Sequence, residues 1–170
     1  MADTRPVENR LDRMIRRLTT QRALLGHAAR LIADLPGPVL EFGLGKGRTY
    51  DFLRTILAGR EIFAFDREVH CPLECVPDPG HLILGPFEET VAGAAARIGS
   101  PGALAHFDVG SEDRAHDARL VGWLGPAAAP LMAPGAVVVA DRAMTVAGWI
   151  PLVPPADGAS GTHFLYRVAA

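Results

Sequence analysis

A chain of 170 residues, 49% of them hydrophobic, carries enough apolar material for one domain with a full core and not for two. A formal net charge of -2 and an isoelectric point near 6.3 argue against a protein that holds nucleic acid by neutralising phosphates. Two cysteines make no disulfide framework, no leader peptide is visible, and no apolar run approaches the roughly 18 residues that span a bilayer, so a cytoplasmic protein without nucleic-acid or membrane partners is expected.

Leu11, Met14, Ile15 and Leu18 recur at helical spacing and predict a helical segment over residues 7–35. Thr19-Thr20 marks a break into two helices, with Thr20 as N-cap of the second, which turns Leu24, Leu25, Ala28, Leu31, Ile32 and Leu35 inward. Arg10, Arg13, Arg16 and Arg17, offset by Glu8 and Asp12, read as a solvated face. Pro36-Gly37-Pro38 stops the segment, so residues 1–36 are expected to pack as a helical piece on a domain of residues 37–170. In that domain the pattern gives strands at 39–42, 61–65, 81–84, 103–109 and 136–140, the last entered by a turn at Pro134-Gly135. Helices fall between them at 48–57, 87–98 and 113–124, with a shorter apolar piece to Met132. Two final strands, 149–153 and 163–168, follow without a helix between and are placed to pair as an antiparallel hairpin. The expected fold is α/β, a Rossmann-like parallel sheet with helices on both faces and a C-terminal antiparallel hairpin.

The most informative stretch is Glu41-Phe42-Gly43-Leu44-Gly45-Lys46-Gly47 with Asp66 beyond it. A short buried strand delivers the loop, the glycines let its backbone approach a ligand, and Asp66 at the tip of the next strand offers two acceptors to a ribose diol. A phosphate loop is excluded, because Leu40 stands where its first glycine belongs and Gly47 follows the lysine. A dinucleotide fingerprint is met in part, and Glu41 would repel a pyrophosphate while suiting an ammonium. Acid before the glycines and acid after the second strand together describe S-adenosyl-L-methionine.

This stretch resembles motif I of the class I S-adenosylmethionine-dependent methyltransferases, with Asp66 in the place of their second-strand acid. The longer run from Gly43 through Arg54 to Gly59 and Arg67 is similar to a small bacterial methyltransferase family whose members are little more than the catalytic domain, and the likeness extends from about Gln21 to Arg167. The resemblance implies the seven-stranded sheet of that class, S-adenosyl-L-methionine as cofactor, and cofactor contacts from Glu41, Phe42, Gly43, Leu44, Gly45, Gly47, Asp66, Arg67 and Asp108. It further implies that Gly85, Pro86 and Phe87 flank the adenine, although Pro86 stands where related proteins carry an acid for the adenine amine. Arg67 has two readings, over the adenine or exposed.

Methyl transfer asks chiefly for alignment and a dry site, with a base only where the nucleophile must lose a proton. Asp108, at a strand end, is the residue expected to face the methyl group; the competing reading is a helix cap. His106 shares its sheet face and reads as a hydrogen-bonded core histidine, and Asp141 is a candidate for substrate binding. Glu112, Asp113 and His116 open a helix, where acids suit the dipole. Arg22 and Tyr50 read as a helix-face arginine and a packed tyrosine, and Lys46, the only lysine, as a matter of composition. Cys71 and Cys75 with His70 and His81 read as free thiols in a loop and not as a metal site. The acceptor is unidentified and expected to be a small molecule, with self-association through the N-terminal helices as a further expectation. Two other classes stay open: a non-catalytic S-adenosylmethionine-binding module, and an NAD(P)-dependent oxidoreductase, against which Glu41 and the glycine spacing count.

Overall fold

The computed structural model describes residues 8–111, 113–158 and 161–170. In chain order the elements are α1 (Arg10–Leu31), β1 (Val39–Phe42), α2 (Arg48–Ile56), β2 (Ile62–Asp66), β3 (Leu82–Leu84), α3 (Phe87–Ile98), β4 (Gly102–Phe107), α4 (Arg114–Ala128), β5 (Met132–Ala140), β6 (Trp149–Pro151) and β7 (Phe164–Val168). The strands form one seven-stranded sheet in the order β3-β2-β1-β4-β5-β7-β6. Five are parallel, and β7 runs antiparallel to both β5 and β6.

Strands β1 and β4 are buried along their whole length because helices cover both sheet faces. Alternation along β1 sends Leu40 and Phe42 to one core and Val39 to the other. On the first face Phe42 stacks between Phe65 and Phe107, at ring-centroid distances of 4.6 and 4.5 Å, beneath α3 and α4. On the second, Leu24, Leu25, Ile32 and Leu53 of the α1 and α2 region close over Val39, Leu104, Val137 and Val139. These paired layers hold the carboxyl ends of β1, β2, β4 and β5 in register, and that edge carries the site.

Several local expectations are corrected. The N-terminal segment is one helix, capped by the Asn9 side chain on Asp12 N–H at 2.9 Å, and Thr20 lies buried within it. Val7 lies outside the described residues. Leu11, Met14 and Ile15 lie on this helix as their spacing predicts, and are 67%, 45% and 54% exposed, because burial in α1 begins only at Thr20. Strand β5 runs straight through Pro134-Gly135, and the irregularity falls in its pairing with β4, where the register shifts between Gly102 and Leu104. Helix α4 continues past Leu124 through Pro126. Strand β4 ends at Phe107, so Asp108 is the first residue off the strand.

Candidate active site

A cleft of about 410 Å³ opens over the carboxyl ends of β1, β2, β3 and β4. Gly43, Gly45, Asp66, Arg67, Gly85, Pro86, Phe87 and Asp108 line it, together with Glu68, His70, Glu88, Val109, Gly110, Ser111, His116 and Leu120. A smaller recess of about 210 Å³ adjoins it, sharing Gly43, Gly45, Asp108 and Gly110 and adding Leu44, Arg17, Leu18, Gln21, Lys46, Arg48 and Thr49. A larger groove of about 1020 Å³ runs along α1 and α2, with Arg22, Arg30 and Arg60 on its wall, away from the strand ends.

The loop after β1 is tied down at both ends of its turn. Gly43 N–H donates to Phe65 carbonyl at 2.9 Å and Gly47 N–H to Leu44 carbonyl at 2.8 Å. Between them Gly45 N–H donates to Asp66 Oδ2 at 2.8 Å, while Asp66 Oδ1 accepts from Arg67 N–H at 2.6 Å. Oδ1 also accepts from Glu68 N–H at 3.4 Å, so Asp66 orders its own loop and the glycine loop, and Oδ2 keeps a lone pair for a ligand. A Cβ at Gly45 would meet nothing within 4 Å, so this turn faces open space in the cleft. A Cβ at Gly47 would lie 2.6 Å from Cys75 Cβ: this glycine admits the cysteine loop instead of a ligand.

Glu41, Phe42 and Gly47 lie behind the cleft. The Glu41 carboxylate is fully buried, one oxygen accepting from Thr49 Oγ1 and the other sitting 2.8 Å from His106 Nδ1. It does not face the space a ligand's ammonium would occupy, and its contribution passes through Thr49 and His106. Phe42 is closed inside its aromatic stack and meets Phe87 of the cleft wall edge to face at 6.2 Å.

Asp108 closes the boundary between cleft and recess. Its Oδ1 receives Arg17 at 2.5 Å and its Oδ2 receives Gln21 at 3.0 Å, both from α1. Burial works against its charge, but His106, Arg17, the Gln21 hydrogen bond and His163 together outweigh burial and hold the carboxyl below its ordinary value. Asp141, at the end of β5, is the opposite case: burial and the neighbouring Asp108 charge push its carboxyl up, and while Oδ2 accepts from Gly110 N–H at 2.9 Å, Oδ1 has no partner among the described residues. His163, before β7, is buried with Nε2 unpartnered among the described residues, and burial with the nearby His106 lowers it to about 4. The buried Asp117 of α4 holds the loop above, accepting from Ser111 N–H and hydroxyl at 2.8 and 2.7 Å and from Arg142 at 2.7 Å.

His106 is a fully buried, hydrogen-bonded histidine as expected. Arg22 lies over the Phe52 ring and Arg54 over Tyr50, and neither Arg22 nor Tyr50 lines the cleft. Asp113 caps α4, His116 reaches the cleft wall, and Glu112 lies outside the described residues. Cys71 and Cys75 are free thiols, and no group of three or more metal-ligating side chains occurs among the described residues. Lys46 is exposed on the recess, its Nζ 3.5 Å from the His70 carbonyl. Sequence reasoning missed Arg17 and Gln21 as site residues; both lie on a helix face that periodicity alone reads as solvated or packed.

The donor set suits S-adenosyl-L-methionine. A carboxylate at a strand tip suits a ribose diol, an apolar slot at Pro86 and Phe87 suits a purine, and a recess with Asp108 beside Arg17, Lys46 and Arg48 offers both signs of charge to an amino-acid tail. The family model described as S-adenosyl-L-methionine methyltransferase matches residues 8–168. A crystal structure of an S-adenosyl-L-methionine methyl transferase from Silicibacter pomeroyi is 37% identical, with a TM-score of 0.90 over 96% of this chain and 100% of that one. The MycE methyltransferase of the mycinamycin biosynthetic pathway, in complex with Mg and SAH, shares the fold at 13% identity and a TM-score of 0.55, over 90% of this chain and 48% of that one. DesVI of Streptomyces venezuelae does so at 17% identity and a TM-score of 0.51, over 85% of this chain and 62% of that one. No curated protein matches the chain.

Proposed function

The chain belongs to the S-adenosyl-L-methionine methyltransferase family, and from that premise we propose that the cleft at the carboxyl ends of β1 to β4 is its cofactor site. It is an S-adenosyl-L-methionine-dependent methyltransferase whose acceptor is unidentified. The observation that carries the site assignment is the convergence of Asp66, Gly45 and Asp108 on one cleft from three separate strand ends. The bound cofactor supplies a methyl group on a sulfonium that already carries its leaving group.

In this reading Asp66 accepts the ribose hydroxyls, and Gly43, Leu44 and Gly45 give the ligand backbone to lie against. Gly85, Pro86 and Phe87 form the apolar slot with Arg67 at its rim, and Glu88, two residues past Pro86 on the same wall, supplies the acid that Pro86 lacks for an adenine amine. Asp108 faces the reacting end and attracts positive charge there, while Arg17 beside it takes the opposite charge of the tail. Glu41, Phe42 and Gly47 support these groups from behind. The acceptor is a small molecule, entering beside Ser111, His116 and Asp141. Residues 1–36 act as a helical piece on the domain of residues 37–170, and a second copy packing on the exposed Leu11, Met14 and Ile15 would account for that stripe. The setting is a bacterial cytoplasm, in keeping with the bacterial relative and with the absence, among the described residues, of a helix long and apolar enough to cross a membrane.

Calorimetric titration with S-adenosyl-L-methionine, S-adenosylhomocysteine and NADH in parallel tests the site. Binding of both adenosyl ligands, lost on substitution of Asp66, is the expected result. Binding that survives loss of Asp66 places the cofactor elsewhere, and a response to NADH alone overturns the reading.

A further inference from the structure

An ionised carboxylate only accepts hydrogen bonds, and Arg17 pairs with Asp108 in that state. The Gln21 atom 3.0 Å from Asp108 Oδ2 is therefore its amide nitrogen, since the carbonyl oxygen would face a second acceptor. The same nitrogen lies 3.3 Å from His106 Nε2. Its two hydrogens serve two acceptors only if Nε2 holds a lone pair, which places the His106 proton on Nδ1. There it is donated to Glu41 at 2.8 Å, and the other Glu41 oxygen accepts from Thr49. Each hydrogen from Thr49 to Arg17 thus has one position, along a chain that starts in α2, crosses β1 and β4, and ends in the cleft.

We propose that Gln21 is a positioning residue of the methyltransfer site, and that its amide couples the protonation state of His106 to the orientation of Asp108. The proposal rests on reading Asp108 as the carboxylate at the cofactor's tail and adds to it a control from beneath. A second proton on His106 turns Nε2 from acceptor into donor. Gln21 must then rotate its amide to offer oxygen to Nε2, and the nitrogen that held Asp108 Oδ2 leaves it. Asp108 keeps Arg17 alone, and a positive charge appears below a recess that receives an ammonium.

The groups around His106 set the balance between its two states. Glu41 faces it from β1, Asp108 and Asp141 from the ends of β4 and β5, His163 from the start of β7, and Gln21 from α1, with Arg17 beyond Asp108. Complete burial disfavours the imidazolium, but the carboxylates of Glu41, Asp108 and Asp141 together outweigh burial and raise the proton affinity above the ordinary histidine value. The Gln21 donor at Nε2 acts against that pull. The two opposing influences act on the two nitrogens of one ring, Glu41 at Nδ1 and Gln21 at Nε2, and Nε2 is the atom that gains or loses the proton.

Nitrogen chemical shifts of histidine-labelled protein, followed through a pH titration, read the tautomer directly. The expected result at mildly alkaline pH is a His106 protonated on Nδ1 and bare on Nε2, gaining the Nε2 proton on acidification. Gln21→Leu removes the opposing donor and shifts the midpoint upward; Gln21→Glu supplies an acceptor at Nε2 and raises it by about one unit, tenfold in proton affinity. An Nε2-protonated neutral ring, or midpoints identical in the wild type and both variants, overturns the proposal. Calorimetry with S-adenosylhomocysteine over the same range should show affinity falling about tenfold as His106 takes its second proton, at pH values well above those that protonate Asp108. Affinity that stays flat through that transition overturns the coupling. Failure of the wild type to bind at any pH overturns the cofactor reading instead, with the histidine spectra deciding the relay alone. Should Gln21→Glu fail to fold, Gln21→Leu carries the comparison.

Discussion

Arg17 and Asp108 stand ninety-one residues apart in the chain and 2.5 Å apart in the fold, so the helix that precedes the sheet reaches over its ligand-binding edge. Arg17 is 38% exposed and Asp108 22%, and pairs this close to water contribute about 0–1 kcal/mol to stability. The pair is thus a weak tie on a poorly buried half-helix. In Arg17→Met the melting temperature should barely move, while amide hydrogens over residues 10–19 exchange faster and cofactor affinity falls. Unchanged exchange in that stretch would mean that other contacts hold it down.

Asp66→Ala takes away the acceptor for Gly45 N–H and for its own following loop as well as the proposed ribose contact. Loss of hydrogen bonds to a charged acceptor predicts about 2–4 kcal/mol of cofactor binding, at least tenfold in Kd. Calorimetry on the folded variant measures it, and an unaltered Kd would remove Asp66 from the site.

Two glycines of one loop should fail in different assays. Both Gly45 and Gly47 have positive φ, 50° and 73°, so alanine at either costs about 1–2 kcal/mol of backbone strain. At Gly47 the new methyl also strikes Cys75 Cβ and should lower the denaturation midpoint well beyond that. At Gly45 it meets no protein atom and projects into the cleft, so Gly45→Ala should lose cofactor affinity out of proportion to its modest loss of stability.

Glu41→Ala distinguishes a buried support from a direct ligand. The carboxylate has two partners, Thr49 and His106, and no exposure. Stripping a buried pair of one member costs about 3–5 kcal/mol, so the variant should unfold at markedly lower urea concentration. A variant of wild-type stability that binds cofactor poorly would return Glu41 to the ligand's side.

Acid sensitivity should pass through His163. Its folded value is lowered from 6.5 to about 4, so between those limits the unfolded chain takes a proton that the folded chain refuses. Stability contributed by the neutral ring is complete above the unfolded value and falls as pH drops across that window, by up to about 3 kcal/mol. Urea titrations at a series of pH values should show this slope in the wild type and a flatter one in His163→Leu.

Much of the architecture was legible in the amino-acid order. Strand β1 and helix α3 were bounded to the residue, because a glycine loop and a Gly-Pro pair punctuate them. The glycine loop, Asp66 and Asp108 were legible because strand ends and ribose chemistry leave few alternatives. Leu11, Met14 and Ile15 pointed correctly to a helix, while helical spacing reports that a face is apolar and not whether a core covers it. Glu41 misled: sequence places it beside the glycines, whereas the pleat of β1 turns its side chain toward α2 and His106. Gln21 and Arg17 left no local signal, since what makes them site residues is a strand end eighty-seven and ninety-one positions away.

The solitary lysine gives the molecule a chemical reporter. Lys46 lies exposed on the recess that borders Asp108, and every other basic side chain apart from the histidines is an arginine. An amine-selective acylating reagent therefore finds one side chain, on the recess that adjoins the cleft. Occupancy of the recess becomes readable as protection of a single peptide from labelling, with no knowledge of the methyl acceptor required.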